Sequence, residues 1–312
     1  MLLLNKRHSI LGNSNKYYID CNSIDPSSIQ SVEILKHTPL SKRNSFDTII
    51  LHSIANNELI QKKNRHIVVK IGRTKSGNEY MAEKEFAIGK QLYGINGFIK
   101  FLCIFSCNDD TSKYKTPTDR PICTSDNNND NKFVLVMPYI HKGSLLDYDW
   151  SADNIPMLKS LIIHAIFSLT EAFIKIGFIH GDLHWGNILF KKTTKSKLVY
   201  EIDDKQISFL TPGYKVVIMD FEKSQTNNHQ NDLFWCNLKL FLKFDKMTED
   251  NQFISWKNDK IVSFLQRMAE TNQSPAKKID QLVQMIEDST FNIIQTKQTK
   301  YDPNNLFYTI AH

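Results

Sequence analysis

The sequence predicts an α+β protein of two lobes, a small strand-rich lobe followed by a mainly helical one. Runs such as Thr48-Ile49-Ile50-Leu51-His52 and His66-Ile67-Val68-Val69-Lys70-Ile71 fall in the first 140 residues, and β-branched residues suit a pleated sheet. In the later part, long stretches repeat their apolar residues at helical spacing. Between Cys107 and Lys132 lies a polar run holding Asn127, Asn128, Asn129, Asp130 and Asn131, too poor in apolar surface to fold alone. The expected boundaries are an N-terminal extension of unknown role over 1–39, a first lobe over 40–140 with a disordered insertion near 107–132, and a second lobe over 141–312.

In chain order, the two β runs precede a helix expected from about Asn78 to Tyr93, and strands at Phe98–Phe105 and Phe133–Met137 flank the insertion. A long helix follows over Met157–Ile176. Short apolar runs at Leu198–Ile202 and Ile207–Leu210, a strand at Lys215–Met219, and helices at Asp232–Phe244, Phe253–Glu270 and Ala276–Asp288 complete the reading. The window Met157 to Ile179 is apolar enough to raise a membrane span, but Lys159, His164, Glu171 and Lys175 interrupt it, and such charges cost several kcal/mol each in lipid. A buried core helix and no transmembrane segment are expected.

The 312 residues carry a formal charge of +6, yet lysines and acids are interspersed. That pattern reads as a solvated surface with no specific nucleic-acid module. Five irregularly spaced cysteines fit neither a complete disulfide framework nor a zinc site. An intracellular, reducing compartment is expected, and the opening Met-Leu-Leu-Leu is too short for a secretory leader.

The chemistry concentrates in His180-Gly181-Asp182-Leu183-His184-Trp185-Gly186-Asn187-Ile188-Leu189 and, downstream, Asp220-Phe221-Glu222. Phosphoryl transfer accounts for the polar members. One carboxylate, Asp182, accepts the proton of an attacking hydroxyl, while the amide of Asn187 and the carboxylate of Asp220 hold magnesium. The runs Ile188-Leu189-Phe190 and Val216-Val217-Ile218-Met219 can pair as strands that hold these groups rigidly.

These motifs resemble the catalytic loop and metal-binding motif of the eukaryotic protein kinase superfamily, and most of all the haspin family. The haspin likeness rests on Leu183-His184-Trp185-Gly186-Asn187, on Lys191-Lys192-Thr193, and on a strand-forming insertion at Lys195–Tyr214 before the metal-binding Asp. It implies a bilobal protein-kinase-like fold with a short activation segment, using ATP and Mg2+ to phosphorylate Ser or Thr on a protein substrate. The cytoplasm or nucleus is the implied setting. The richness in Asn, Lys and Ile fits an AT-rich genome such as that of a large DNA virus, in which case the setting is the host cell or the virion. Oligomeric state leaves no trace in the sequence.

The resemblance extends to further residues. Lys70 takes the place of the lysine that contacts the α- and β-phosphates, and Glu85 is favoured as its partner because it shares a helix face with Met81, Ile88 and Leu92, whereas Glu83 points away. Met137 lines the back of the adenine pocket, with the carbonyl of Pro138 and the amide of Ile140 at the adenine edge. The phosphate loop falls on Leu40–Ile49, with Phe46 in a matching place but Ser41, Arg43 and Asp47 where glycines are usual. His184 stands where many kinases place a lysine that touches the γ-phosphate, Gly181 where many have an arginine that reads a phosphorylated loop, and Glu222 where glycine is usual. Asp232 either caps its helix or braces the catalytic loop. A short span from Glu222 to Asp232 without Ala-Pro-Glu argues against switching by loop phosphorylation. A small-molecule kinase of the aminoglycoside or choline type, and a pseudokinase that binds a partner, remain the alternatives.

Overall fold

The computed structural model describes residues 29–36, 46–53, 66–73, 81–107, 132–242, 259–270, 273–288 and 294–298. They fall into two compact units, the first built from Met1–Phe86 with Lys100–Tyr139 and the second from Ala87–Ile99 with Ile140–His312.

The first unit holds an antiparallel sheet of five strands: β1 (Ile29–Lys36), β2 (Phe46–Ser53), β3 (His66–Arg73), β4 (Cys103–Cys107) and β5 (Lys132–Pro138), in the order β1-β2-β3-β5-β4. Strand β3 is central, and its Val68 and Lys70, two residues apart, are both buried. Helix α1 (Met81–Gln91) begins in this unit, where Phe86 packs 6.1 Å from Phe101.

Strand β1 lies inside the stretch expected to be an extension of unknown role. It pairs with β2 through two register shifts, between Ile29 and Ser31 and between Glu33 and Lys36, and such shifts break the alternation by which a strand is recognised. The strand expected over Phe98–Phe105 is shorter and later. Phe98, Ile99, Phe101 and Leu102 are all buried and Lys100 between them is exposed, a paired pattern rather than the alternating one of a half-exposed strand. In the second unit Phe98 instead forms a parallel bridge to Ile218, with the Ile99 amide donating to the Ile218 carbonyl at 2.9 Å. Residues 108–131, the expected insertion, and 37–45, which include Ser41, lie outside the described residues.

The second unit is organised around α2 (Ile155–Ile176). This helix is long and apolar enough to cross a membrane by length and composition, but 83% of its apolar window is buried within the protein, so it serves as a core helix. Strands β6 (Ile188–Lys192) and β9 (Tyr214–Ile218) pair antiparallel, and between them β7 (Lys197–Ile202) and β8 (Lys205–Leu210) form a hairpin. A strand not expected from the sequence, β10 (Ile294–Gln298), adds to β8. The hairpin packs on α2 through Tyr200, whose ring stacks 5.6 Å from Phe167. Three further helices follow among the described residues: α3 (Asn231–Phe241), α4 (Lys260–Met268) and α5 (Pro275–Glu287). Asp259 caps α4 by accepting from the amides of Ile261 and Val262 at 2.8 and 3.1 Å, and binds Lys159 of α2 at 2.7 Å. Of the helix expected over Phe253–Glu270, residues 253–258 lie outside the described residues, which stop at Leu242 and resume at Asp259, and α4 falls within the rest.

Helix α2 ends at Gly177 with φ +59°, its amide donating to Phe173 at 2.8 Å while the Phe178 amide reaches Ala172 at 3.3 Å. A Cβ on Gly177 would stand 2.5 Å from the amide nitrogen of Asn228. Gly177→Ala is therefore expected to destabilise by at least about 1–2 kcal/mol from the left-handed conformation alone, seen as a lower urea midpoint at unchanged slope.

His164 lies fully buried in α2, its Nδ1 accepting from the Val216 amide at 3.2 Å. Burial first, and the charge of Lys215 second, lower its pKa to about 3 from an ordinary 6.5. The unfolded chain therefore takes up this proton first as pH falls. The stability that the neutral imidazole contributes is fully present above about pH 6.5 and is lost toward pH 3, at about 1.4 kcal/mol per pH unit. Urea unfolding between pH 7 and 5 should show this slope, and His164→Gln should remove one proton's share of it.

Candidate active site

In the first unit, Lys70 of β3 and Glu85 of α1 form an ion pair. Lys70 Nζ donates to Glu85 Oε2 at 2.9 Å, and the two side chains are only 8% and 1% exposed. Helical geometry explains the choice of acid, since Glu83 is exposed to solvent. Met137 is buried in β5, Pro138 ends that strand, and Phe46 opens β2. Ile140, the first residue after the Lys100–Tyr139 segment, is buried in the second unit.

In the second unit, the loop from His180 to Asn187 is fixed by its own polar groups. Asn187, almost fully buried, donates from Nδ2 to the Asp182 carbonyl at 3.0 Å, and its amide donates to His184 at 2.9 Å. Its carbonyl accepts from the Met219 amide at 3.0 Å. His180 ties the same two segments together, with Nε2 donating to the Met219 carbonyl at 2.9 Å and Nδ1 accepting from the Asp182 amide at 3.3 Å. Asp182, Asn187 and Asp220 thereby belong to one hydrogen-bonded frame.

Asp220 itself takes φ +70° directly after Met219, the left-handed region that aspartate tolerates better than most residues. Phe221 beside it is fully buried in an aromatic cluster with Phe98 at 6.1 Å, Phe178 at 5.8 Å and His180 at 6.1 Å. The apolar anchor holds the strained carboxylate in place. Such outliers cluster where function demands a particular direction.

Helix α3 supports the loop from its other side. The Gly181 amide donates to Asn237 Oδ1 at 3.1 Å, and the Trp185 indole donates to the Phe241 carbonyl at 2.9 Å. The bracing considered for Asp232 thus falls to Asn237. Asp232 is exposed in the first turn of α3, whose N-cap is Gln230. Asn237 sits with Phe234, Leu238 and Phe241 at helical spacing, so a polar residue inside an apolar stripe was the available signal.

His184 is exposed, and its Nδ1 accepts from the Gly186 amide at 3.1 Å. Two residues that sequence reasoning missed approach the loop from the segment after Asp220. Lys223 Nζ binds Asp182 Oδ2 at 2.8 Å, and Ser224 Oγ donates to the His180 carbonyl at 2.7 Å. Gly181, with φ +80°, permits this approach, because a Cβ there would stand 2.3 Å from the Lys223 carbonyl. Backbone pairing between Ile179 and Gln225, at 2.9 Å in both directions, continues the contact.

The family described as haspin like kinase domain matches residues 15–258. The chain belongs to this family. Similar relatives include a serine/threonine-protein kinase haspin homolog of Arabidopsis thaliana, 35% identical over 81 residues, which are 26% of this chain and 14% of that protein. The serine/threonine-protein kinase haspin of Bos taurus is 39% identical over 72 residues, 23% of this chain and 9% of its own length, and that of Mus musculus 36% over 72 residues, 23% and 10%. The matched stretches thus span a small part of these relatives. Membership in the haspin family implies a phosphate donor such as ATP and a divalent metal.

The donor set suits a hard cation. Asn187 spends its amide nitrogen on the Asp182 carbonyl, which leaves the amide oxygen as the atom that could hold a metal, and Asp220 could contribute a carboxylate. Magnesium is commonly held by one or two such oxygens together with substrate phosphates.

The buried Lys70–Glu85 pair carries a stability prediction. Lys70→Met removes the cation bonded to a buried carboxylate and is expected to cost about 3 kcal/mol, of which Lys70→Met with Glu85→Leu recovers most. Chemical denaturation of the two single variants and the double variant measures the coupling.

Proposed function

We propose that this haspin-family chain is an ATP- and magnesium-dependent protein kinase that phosphorylates serine or threonine. The observation that carries the reading is the single hydrogen-bonded frame joining Asp182, Asn187 and Met219-Asp220. Phosphoryl transfer calls for little covalent chemistry from the protein and depends on positioning and charge.

Each residue has a role in this reading. Asp182 orients the acceptor hydroxyl and takes its proton. Asn187 and Asp220 would hold magnesium, and the chemistry it would supply is neutralisation of charge on the β- and γ-phosphates. Lys70, aligned by Glu85, binds the α- and β-phosphates. Met137, Pro138 and Ile140 receive adenine, and Ser41 and Phe46 belong to the loop that covers the phosphates. His184 orders the loop turn through Gly186. The work takes place inside the cell, where ATP and magnesium are at hand and the exposed thiol of Cys236 stays reduced.

The test is transfer of labelled phosphate from Mg-ATP to histone and casein mixtures and to the protein itself, with Asp182→Asn alongside. Label on Ser or Thr is expected, with kcat lowered by about 10²- to 10⁴-fold in the variant. Transfer only to small alcohols or aminoglycosides would sink the protein-kinase reading, and folded protein that binds ATP yet transfers to nothing would mark a pseudokinase.

A further inference from the structure

We propose that Lys223 is a catalytic residue that supplies the γ-phosphate with the cation the catalytic loop itself lacks; this rests on the protein-kinase reading above. Position 184, where many kinases place a lysine, carries in this chain the histidine of the haspin-like Leu183–Asn187 run, and its Nδ1 accepts from the Gly186 amide. The ammonium of Lys223 lies 2.8 Å from Oδ2 of Asp182.

That distance determines what the amine can reach. Asp182 must lie within hydrogen-bond range, about 2.6–3.2 Å, of the attacking hydroxyl. The γ-phosphorus lies next to that oxygen as the bond forms. A cation bound to the same carboxylate is therefore a few ångströms from the equatorial oxygens of the phosphoryl group, where negative charge is spread in the transition state. The other carboxylate oxygen, Oδ1, remains for the hydroxyl.

The backbone around Lys223 is fixed on both sides. Its carbonyl sits against Gly181, where no Cβ intervenes, Ser224 binds His180 through its hydroxyl, and Gln225 pairs with Ile179. The hydrogen bond and charge of Asp182, then the charges of Glu222 and Asp220, raise the pKa of the amine above the ordinary lysine value, so it is a cation throughout the reaction. The side chain is 61% exposed. An ion pair so open contributes little to stability, which leaves a structural role with little to explain.

In the step, the acceptor oxygen forms its bond to the γ-phosphorus as its proton passes to Asp182. The bond from phosphorus to the β–γ bridging oxygen breaks, and its electron pair leaves with ADP. Lys223 keeps its protons and donates a hydrogen bond to an equatorial oxygen of the group in transit. Asp182 afterwards releases its proton to water, leaving a phosphoester.

The test compares wild type, Lys223→Met and Lys223→Arg in steady-state transfer from Mg-ATP to the best protein acceptor. The Met variant should lose about 10²- to 10³-fold in kcat with KM for ATP within about twofold and an unchanged Tm, and Arg should restore most of the rate. Calorimetry should agree, with Lys223→Met weakening Mg-ADP-aluminium fluoride, a mimic of the phosphoryl in transit, but not Mg-ADP. An unchanged kcat, a rise in KM alone, or a faster Met variant, the sign of a lysine that merely occupies the hydroxyl's place, would overturn the inference while leaving the kinase reading intact. Wild type as inert as Asp182→Asn toward every acceptor would overturn both.

Discussion

One neutral imidazole holds the two segments of the candidate active site in register. His180 donates through Nε2 to the Met219 carbonyl and accepts through Nδ1 from the Asp182 amide, and only the neutral ring with its proton on Nε2 can do both. Burial lowers its pKa, against a backbone bond and two carboxylates that pull the other way. The residue is thus kept in the one protonation state that the frame requires. Asn187 repeats the connection through its side chain and its carbonyl, so a carboxylate from the loop and one following β9 share a scaffold made almost wholly of backbone groups.

This arrangement accounts for departures from the wider kinase pattern. Gly181 stands where many kinases carry an arginine that reads a phosphorylated loop. Here the space above it is filled by the Lys223 carbonyl, and the segment from Phe221 to Asn228 is bonded directly to Ile176–His180 through its own backbone and Ser224. A segment already held by these bonds has no need of a phosphate to order it. The cost is borne by the conformations of Gly177, Gly181 and Asp220, all at positive φ.

Much of the candidate site was proposed from the sequence because polar residues in a fixed order between apolar strands are hard to explain otherwise. Lys70 and Glu85 followed from a strand end and a helix face. The long helix was legible from its apolar window, and the β7–β8 hairpin from two short apolar runs. What escaped depends on long-range contacts. β1 carries register shifts that erase its alternation, and β10 finds its partner some 85 residues away, Ile294 opposite Phe209. Asn237 left a faint signal as a polar interruption of an apolar stripe. Lys223 left none, because an exposed lysine in a turn has no periodicity to break.

The contrast between Asn187 and Lys223 also says which parts of a phosphotransfer site can move in the sequence. A metal ligand must present one oxygen in one direction, and the buried amide of Asn187, the proposed ligand, is held by a bond to the Asp182 carbonyl of the same loop. A cation that neutralises charge spread over three equatorial oxygens needs only to come within a few ångströms, from any side. Its side chain is long, its charge nearly isotropic, and its backbone can belong to another segment. A histidine at position 184, where many kinases place a lysine, is therefore compatible with phosphoryl transfer when a neighbouring segment is held close enough to offer a cation. The close approach of Lys223 to Gly181 provides that nearness.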